Sequence, residues 1–383
     1  MKKIKFLYTL TNLAGGGAEK VAVNLIRNFN REQYDFDLFL HKKEGSYLSE
    51  IPPNIKIISL LGEFKNVFVA KIVGLLSLPL LLLQIILIGK RYDLLICGLE
   101  STFVTYATII SSFIHKKPVI VTVHIDIFYN PRIKDTFHLK IIKLLYPLCS
   151  SCVCVSNGVR EGLINVVPSI KDRTSVIYNP FEIETIERNG LEVVELPFTT
   201  PFVISVGRLE IQKRFDLLIS AHKAVLDRGG NNSLIIVGEG SERNNLQSLI
   251  AKLELESTVK LVGFDNNPHK WVSKAHCFVL SSENEGFGNV LVEALALEIP
   301  VISSDCPSGP SEILKNGHYG MLFENLNVSE LVLSIESMFN DTEKYSIFKK
   351  LAKSRADDFS AAKAISQWEI LINRLTIEKN NQY

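Results

Sequence analysis

Short apolar runs of strand length alternate with helical patterns along this chain, and the alternation stops once and then begins again. Residues 3–10 (KIKFLYTL) open it, and strand-like runs follow at 34–40, 55–60, 93–97, 118–123 and 152–155. Helical periodicity fills several of the intervals, beginning with residues 18–28. After the proline-bounded stretch PFTTP (197–201) the pattern restarts, with runs at 202–206, 234–237, 259–262, 277–280, 301–303 and 320–323. Parallel strands need crossover connections of helix length, and such sheets are covered by helices on both faces. A length of 383 residues suffices for two separate cores. The expectation is an α/β chain of two doubly wound domains, 1–190 and 191–360, with 361–383 forming a last helix and a polar tail. Ligands of such sheets bind at the carboxyl ends of the strands, so the crevice between the two halves is the place to look for chemistry.

One stretch concentrates candidate chemistry. Residues 281–298 read SSENEGFGNVLVEALALE, directly after the apolar run CFVLSS. Glu285 falls in the strand-to-helix loop, followed by Gly286, Phe287 and Gly288. Asn289 and Val290 open the helix, and Glu293 lies about one turn in. The free N–H groups of a helix start open onto that loop, where an anion is favoured. A spacing of eight between two glutamates arises by chance in a glutamate-rich chain, so the loop, the glycines and the small-residue helix carry the weight.

Other segments sit in equivalent positions. Gly15, Gly16 and Gly17 lie between the first strand and first helix, where backbone N–H groups can approach a phosphate or a sugar. They match neither GxGxxG nor the P-loop pattern, and a plain tight turn is the alternative. In VGRLEIQKRFDLLI (206–219), Arg208 and Lys213 follow a buried strand, and their charges can converge on the loop of Glu285. VGEGSERNNLQSL (237–249) and LVGF (261–264, with Gly263 and Phe264) follow the next two strands. His124 ends the run VIVTVH; a single histidine there is otherwise a structural residue.

Taken together these segments resemble the family-4 retaining glycosyltransferases of the GT-B fold, of the type that assembles bacterial surface polysaccharides and lipid-linked glycans. The resemblance covers both domains and implies two Rossmann-like domains facing a central crevice, with the last helix crossing back to the first domain. It implies that Arg208 and Lys213 hold the donor diphosphate, that Glu285 meets sugar hydroxyls and Glu293 the ribose, and that His124 lies beside the sugar C6 hydroxyl. Gly16 and Gly17 would lie against diphosphate and acceptor, with Gly263, Phe264, Gly286, Phe287, Gly288 and Asn289 completing the donor site. The implied reaction moves a hexose or N-acetylhexosamine from a nucleotide-sugar, UDP-linked, to a lipid-diphosphate-linked saccharide with retention. The loop DCPSGPSE (305–312) is similar to its form in members using galactose-type or N-acetylhexosamine donors. No cofactor is implied beyond the donor itself. A sugar-nucleotide epimerase on the same fold and a non-catalytic glycan- or membrane-binding protein are the competing classes.

Charge and composition narrow the partners. Residues 1–180 carry 22 Lys/Arg against 13 Asp/Glu, and residues 181–383 carry 20 against 28. A basic first half suits an anionic membrane surface or a phosphorylated ligand, and its dispersed charge argues against nucleic acid. Six cysteines lie mostly in apolar runs and read as core residues; the cluster CSSCVC lacks a second ligand pair. The spelling Asp35-Phe36-Asp37 alternates with period two at a strand start, which reads as solvated edge residues, so no metal site is expected. MKKIK runs into a strand with no cleavable apolar segment after it, and a cytoplasmic protein peripherally attached to the membrane is the expectation. The attachment candidate is residues 72–88, IVGLLSLPLLLLQIILI, 17 uncharged residues near Lys65, Lys71, Lys90 and Arg91. Spanning would split one sheet across a bilayer, and Pro79 interrupts the helix. A buried core helix and a helix in the membrane interface both remain open. Residues 133–148 offer a second basic and apolar segment.

Overall fold

The computed structural model describes residues 3–62, 73–130, 133 and 136–380. The chain divides into two compact units, one of Met1–Pro180 with Ala361–Tyr383, the other Phe181–Ser360. The helix Ile183–Gly190, which the sequence places with residues 1–190, belongs to the second unit. There it packs on the helices His269–Val272 and Asn289–Ala296.

The first unit holds seven parallel strands: β1 (Ile4–Leu10), β2 (Tyr34–Lys42), β3 (Ile57–Leu61), β4 (Leu94–Cys97), β5 (Val119–Val123), β6 (Ser151–Cys154) and β7 (Thr174–Val176). Their order is β3-β2-β1-β4-β5-β6-β7, so the winding reverses between β1 and β4. β7 is three residues, TSV, too short to show a period in the sequence. The core gathers around Phe6, whose ring stacks on Phe36 at 4.6 Å. β3 pairs with β2 only from Leu38 onward, so Asp35 and Asp37 have β1 alone beside them, as edge residues do, and the Asp35 side chain is 46% exposed. Asp35 sits 3.4 Å from Lys5 Nζ, and Asp37 accepts a 2.6 Å hydrogen bond from the Tyr92 hydroxyl.

The last helix, Ala361–Asn380, closes this unit. Ala364, Ile365, Trp368, Leu371, Ile372 and Leu375 bury against the first core at helical spacing. The sequence reading counts Ile370 with Ile365, Trp368, Leu371 and Leu375 as the apolar positions of this helix, but Ile370 points to solvent at 67% exposure, and Ile372 fills the inner position. The helix runs on into the polar tail as far as Asn380, with the Thr376 hydroxyl donating to Ile372 O.

Within residues 72–88, Ile72 lies outside the described residues, as do Lys65 and Lys71. Pro79 stands in the first turn of the helix Leu78–Gly89, where the missing N–H is harmless. Leu81, Ile85 and Gly89 face the helix Phe103–His115, and Ser111 Oγ donates to Ile85 O across that contact. Leu76, Leu80, Leu83 and Leu87 form a stripe on the other side, each more than half exposed. The segment is thus buried along one face only.

The second unit repeats the winding with β8 (Phe202–Val206), β9 (Ser233–Val237), β10 (Val259–Gly263), β11 (Cys277–Leu280), β12 (Val301–Ser304) and β13 (Met321–Phe323). All pair in parallel in the order β10-β9-β8-β11-β12-β13, with the reversal between β8 and β11. Leu218, Leu234, Ile236, Val279 and Phe323 are among the residues of its core.

Candidate functional site

In the second unit the chain after β8 and the chain after β11 leave the sheet at the switch point. The loops after β8, β9 and β10 are stitched backbone to backbone. Gly207 N–H donates to Val237 O at 3.0 Å, Leu209 N–H to Glu239 O at 2.9 Å and Gly238 N–H to Gly263 O at 2.8 Å. A Cβ on Gly238 would stand 1.9 Å from Gly207 O, so only glycine permits this approach. Arg208 projects from this rim, exposed, and its guanidinium has no partner among the described residues.

Lys213 ends the short turn Ile211–Lys213 and is drawn toward the β11 loop. Its Nζ lies 2.6 Å from Glu285 Oε1, and Ser282 Oγ donates to the same oxygen at 2.7 Å. The loop itself is clamped. Gln212 Nε2 donates to Asn284 O, Ser281 Oγ to Lys213 O and Glu285 N–H to Pro307 O. Both charged side chains are largely shielded, at 18% and 11% exposure. Gly288, at φ 99°, is the N-cap of the helix Asn289–Ala296, with no side-chain cap bond at that start, and Leu291 N–H donates to Gly288 O. Glu293 is half-buried one turn along, its Oε2 3.6 Å from His269 Nε2.

Not every expected donor residue offers its side chain. The Phe287 ring is core, packed at 5.4 Å on Phe359 and 6.4 Å on Phe181, because it anchors the loop from below. Gly263 takes φ 95° at the end of β10, and Phe264 beyond it is 71% exposed. Ser282 and His269 escaped the sequence reading, since neither a serine at a strand end nor a histidine after a proline stands out by pattern.

In the first unit the glycine loop is pinned to the loop after β2. Leu13 N–H donates to Glu44 O, Tyr47 N–H to Leu13 O, and Asn12 Nδ2 to Glu44 Oε1. Gly16 is the extended N-cap and Gly17 the first residue of the helix Gly17–Asn28. A Cβ on Gly16 would meet Glu19 Oε2, so the carboxylate lies over that helix start.

His124 ends β5. Its backbone N–H donates to Glu100 Oε2 at 3.0 Å, and Asn130 Nδ2 donates to Glu100 Oε1 at 3.1 Å. The Glu100 carboxylate is buried, and sequence pattern alone does not reveal it. His124 Nε2 is 3.1 Å from Thr122 Oγ1, whose own proton goes to Cys97 O, so Nε2 is the donor. Burial lowers the His124 pKa to about 4, so near neutral pH the imidazole hydrogen-bonds without carrying charge.

Two doubly wound parallel units, with basic groups and carboxylates at the switch point of the second, are the architecture of GT-B glycosyltransferases. Residues 15–185 match the family described as Glycosyltransferase Family 4, and residues 191–355 match Glycosyl transferases group 1. The chain is 29% identical, over 94% of its length and 95% of the relative's, to the N-acetylgalactosamine-N,N'-diacetylbacillosaminyl-diphospho-undecaprenol 4-alpha-N-acetylgalactosaminyltransferase of Campylobacter jejuni. An uncharacterised glycosyltransferase of Methanocaldococcus jannaschii is 34% identical over 62% of this chain and 68% of its own. Among solved structures, Anabaena HepE in complex with UDP superposes with a TM-score of 0.81 at 22% identity, covering 97% of this chain and 100% of that one. The chain belongs to the family-4 glycosyltransferases of the GT-B fold, and it is an enzyme.

Proposed function

We propose that the protein transfers a hexose or N-acetylhexosamine from a UDP-sugar to a hydroxyl of a lipid-diphosphate-linked glycan, with retention at the anomeric carbon. The observation that carries this reading is the clamped loop after β11, which gathers Lys213, Glu285 and the Gly288-capped helix start at one switch point. The full-length Campylobacter relative is named for transfer onto a diphospho-undecaprenol-linked saccharide, and the Anabaena neighbour was solved with UDP; both support the choice of donor and acceptor.

Transfer breaks the bond from C1 to the donor phosphate oxygen and forms one from C1 to the acceptor oxygen. The acceptor proton passes to a phosphate oxygen, so no protein base is required. Charge builds on the departing diphosphate while C1 becomes electron-poor, and preorganised positive potential lowers that barrier. Arg208, Lys213 and the N–H groups after Gly288 supply it. Glu285 Oε2 takes a sugar hydroxyl and Glu293 the ribose. The reading calls for no cofactor beyond the donor itself.

The enzyme works at the cytoplasmic face of a membrane, held through its first unit. The exposed stripe Leu76, Leu80, Leu83 and Leu87 offers apolar area, with Phe113 and Ile114 exposed at the end of the neighbouring helix. Lys90, Arg91 and Lys116 add positive charge suited to anionic lipid. Among the described residues no helix is long and apolar enough to cross a membrane. Calorimetric titration tests the donor assignment: UDP binds and GDP does not, and Arg208→Ala abolishes the binding. Binding of GDP alone would overturn the choice of nucleotide.

A further inference from the structure

The Glu293 carboxylate has one partner among the described residues, His269 Nε2 at 3.6 Å. His269 is held firmly in place. Asp265 accepts from Asn267 N–H at 2.8 Å, from Trp271 Nε1 at 2.9 Å and from Lys270 Nζ at 3.1 Å, which fixes the turn between β10 and the helix His269–Val272. The other ring nitrogen, His269 Nδ1, is buried and meets no partner. A buried N–H without an acceptor is rarer than a buried acceptor without a donor. The proton therefore belongs on Nε2, aimed at Glu293.

We propose that His269 is a positioning residue for the donor nucleoside, holding the Glu293 carboxylate in the orientation that receives the ribose diol. The proposal rests on the reading of Glu293 as the ribose contact. A ribose offers two neighbouring hydroxyls, and a carboxylate accepts both only when its plane lies along them. The last torsion of a glutamate is broad, so the free side chain samples planes that accept one hydroxyl or none. An N–H facing one oxygen from 3.6 Å biases that torsion electrostatically before the donor arrives and can close to a hydrogen bond when the diol settles, which favours binding by lowering the ordering cost. His269 stands at the nucleoside end of the donor, away from the bond that breaks, so its effect falls on affinity rather than on the chemical step.

The test uses His269→Ala, His269→Gln, Glu293→Ala and the double alanine variant, with UDP alone as the binding probe and steady-state kinetics beside it. His269→Ala should weaken UDP binding and raise the donor KM about two- to tenfold, no more than an ordinary hydrogen bond contributes, with kcat and melting temperature unchanged. Gln, whose amide N–H can reach the same oxygen, should restore most of the affinity. In the Glu293→Ala background, His269→Ala should cost nothing further, because coupled residues are not additive. Wild-type UDP affinity in His269→Ala beside weakened binding in Glu293→Ala overturns the proposal and leaves the ribose reading standing. Wild-type affinity in Glu293→Ala removes both.

Discussion

Lys213 Nζ and Glu285 Oε1 lie 2.6 Å apart although 72 residues separate them in the chain. The Ser282 hydroxyl bonds the same carboxylate oxygen, and Glu285 Oε2 makes no bond among the described residues. An ammonium has three donors. Pairing with Glu285 occupies one and orients the others before any diphosphate arrives, while Oε2 stays open for a sugar hydroxyl. One ion pair thus links leaving-group stabilisation to recognition of the transferred sugar.

Arg208→Ala and Lys213→Ala should each lower turnover roughly a hundredfold or more, because each removes positive potential from the leaving group. Their stabilities should differ. Arg208 is exposed and unpaired among the described residues, so its loss leaves the melting temperature unchanged. Lys213→Ala strands the shielded Glu285 carboxylate and should cost about 1–3 kcal/mol. Turnover near wild type in either variant would return that residue to the surface.

Chelation should leave activity nearly unchanged. Asp35 and Asp37, a pair with a metal-like spelling, are engaged by Lys5 and Tyr92 at the start of β2. Assays in EDTA check this; loss of activity that Mg²⁺ or Mn²⁺ restores would contradict it.

Acid should destabilise the second unit through His222. This imidazole is buried, with Nε2 against the Thr258 hydroxyl and Nδ1 facing the Asn232 amide. Burial lowers its pKa from 6.5 to about 4. The unfolded chain takes up the proton first, so the stability contribution is complete above pH 6.5 and declines as pH falls toward 4. The loss amounts to at most about 3 kcal/mol. Melting curves between pH 7 and pH 4 should show the decline, and His222→Gln should flatten it; an equally steep decline in that variant would exclude His222 as its source.

The two faces of the helix Leu78–Gly89 should respond oppositely to polar substitution. Serine at Leu76, Leu80, Leu83 and Leu87 should release the protein from anionic liposomes while leaving circular dichroism and melting unchanged. Serine at Leu81 and Ile85 should unfold the first unit, since each buried side chain lost costs a few kcal/mol. Unchanged liposome binding in the exposed-stripe variant would remove this helix as the anchor.

The sheets were legible in the sequence because buried parallel strands print continuous apolar runs, and because the pattern restarts after residues 197–201. β7 left no such run. Residues 72–88 were ambiguous for a physical reason: leucine and isoleucine surround that helix, so hydropathy alone cannot say which face the Phe103–His115 helix covers. At Ile370 and Ile372 a two-residue difference turns the side chain from solvent to core, and the packed face decided between them. Arg208, Lys213 and Glu285 follow strands, but it is the resemblance of their segments to the family that singles them out. Ser282, His269 and Glu100 were not found, because their significance lies in contacts with residues distant in the chain or in burial.

The most direct measurement offers the enzyme a panel of nucleotide-sugars together with lipid-linked saccharide acceptors and reads the acceptor by mass spectrometry. The proposed function predicts that the acceptor gains the mass of one hexose or N-acetylhexosamine from a UDP-linked donor, with UDP released and the new linkage keeping the donor's anomeric configuration. A donor converted to an isomeric sugar without acceptor, or an acceptor unchanged across the whole panel, would contradict it.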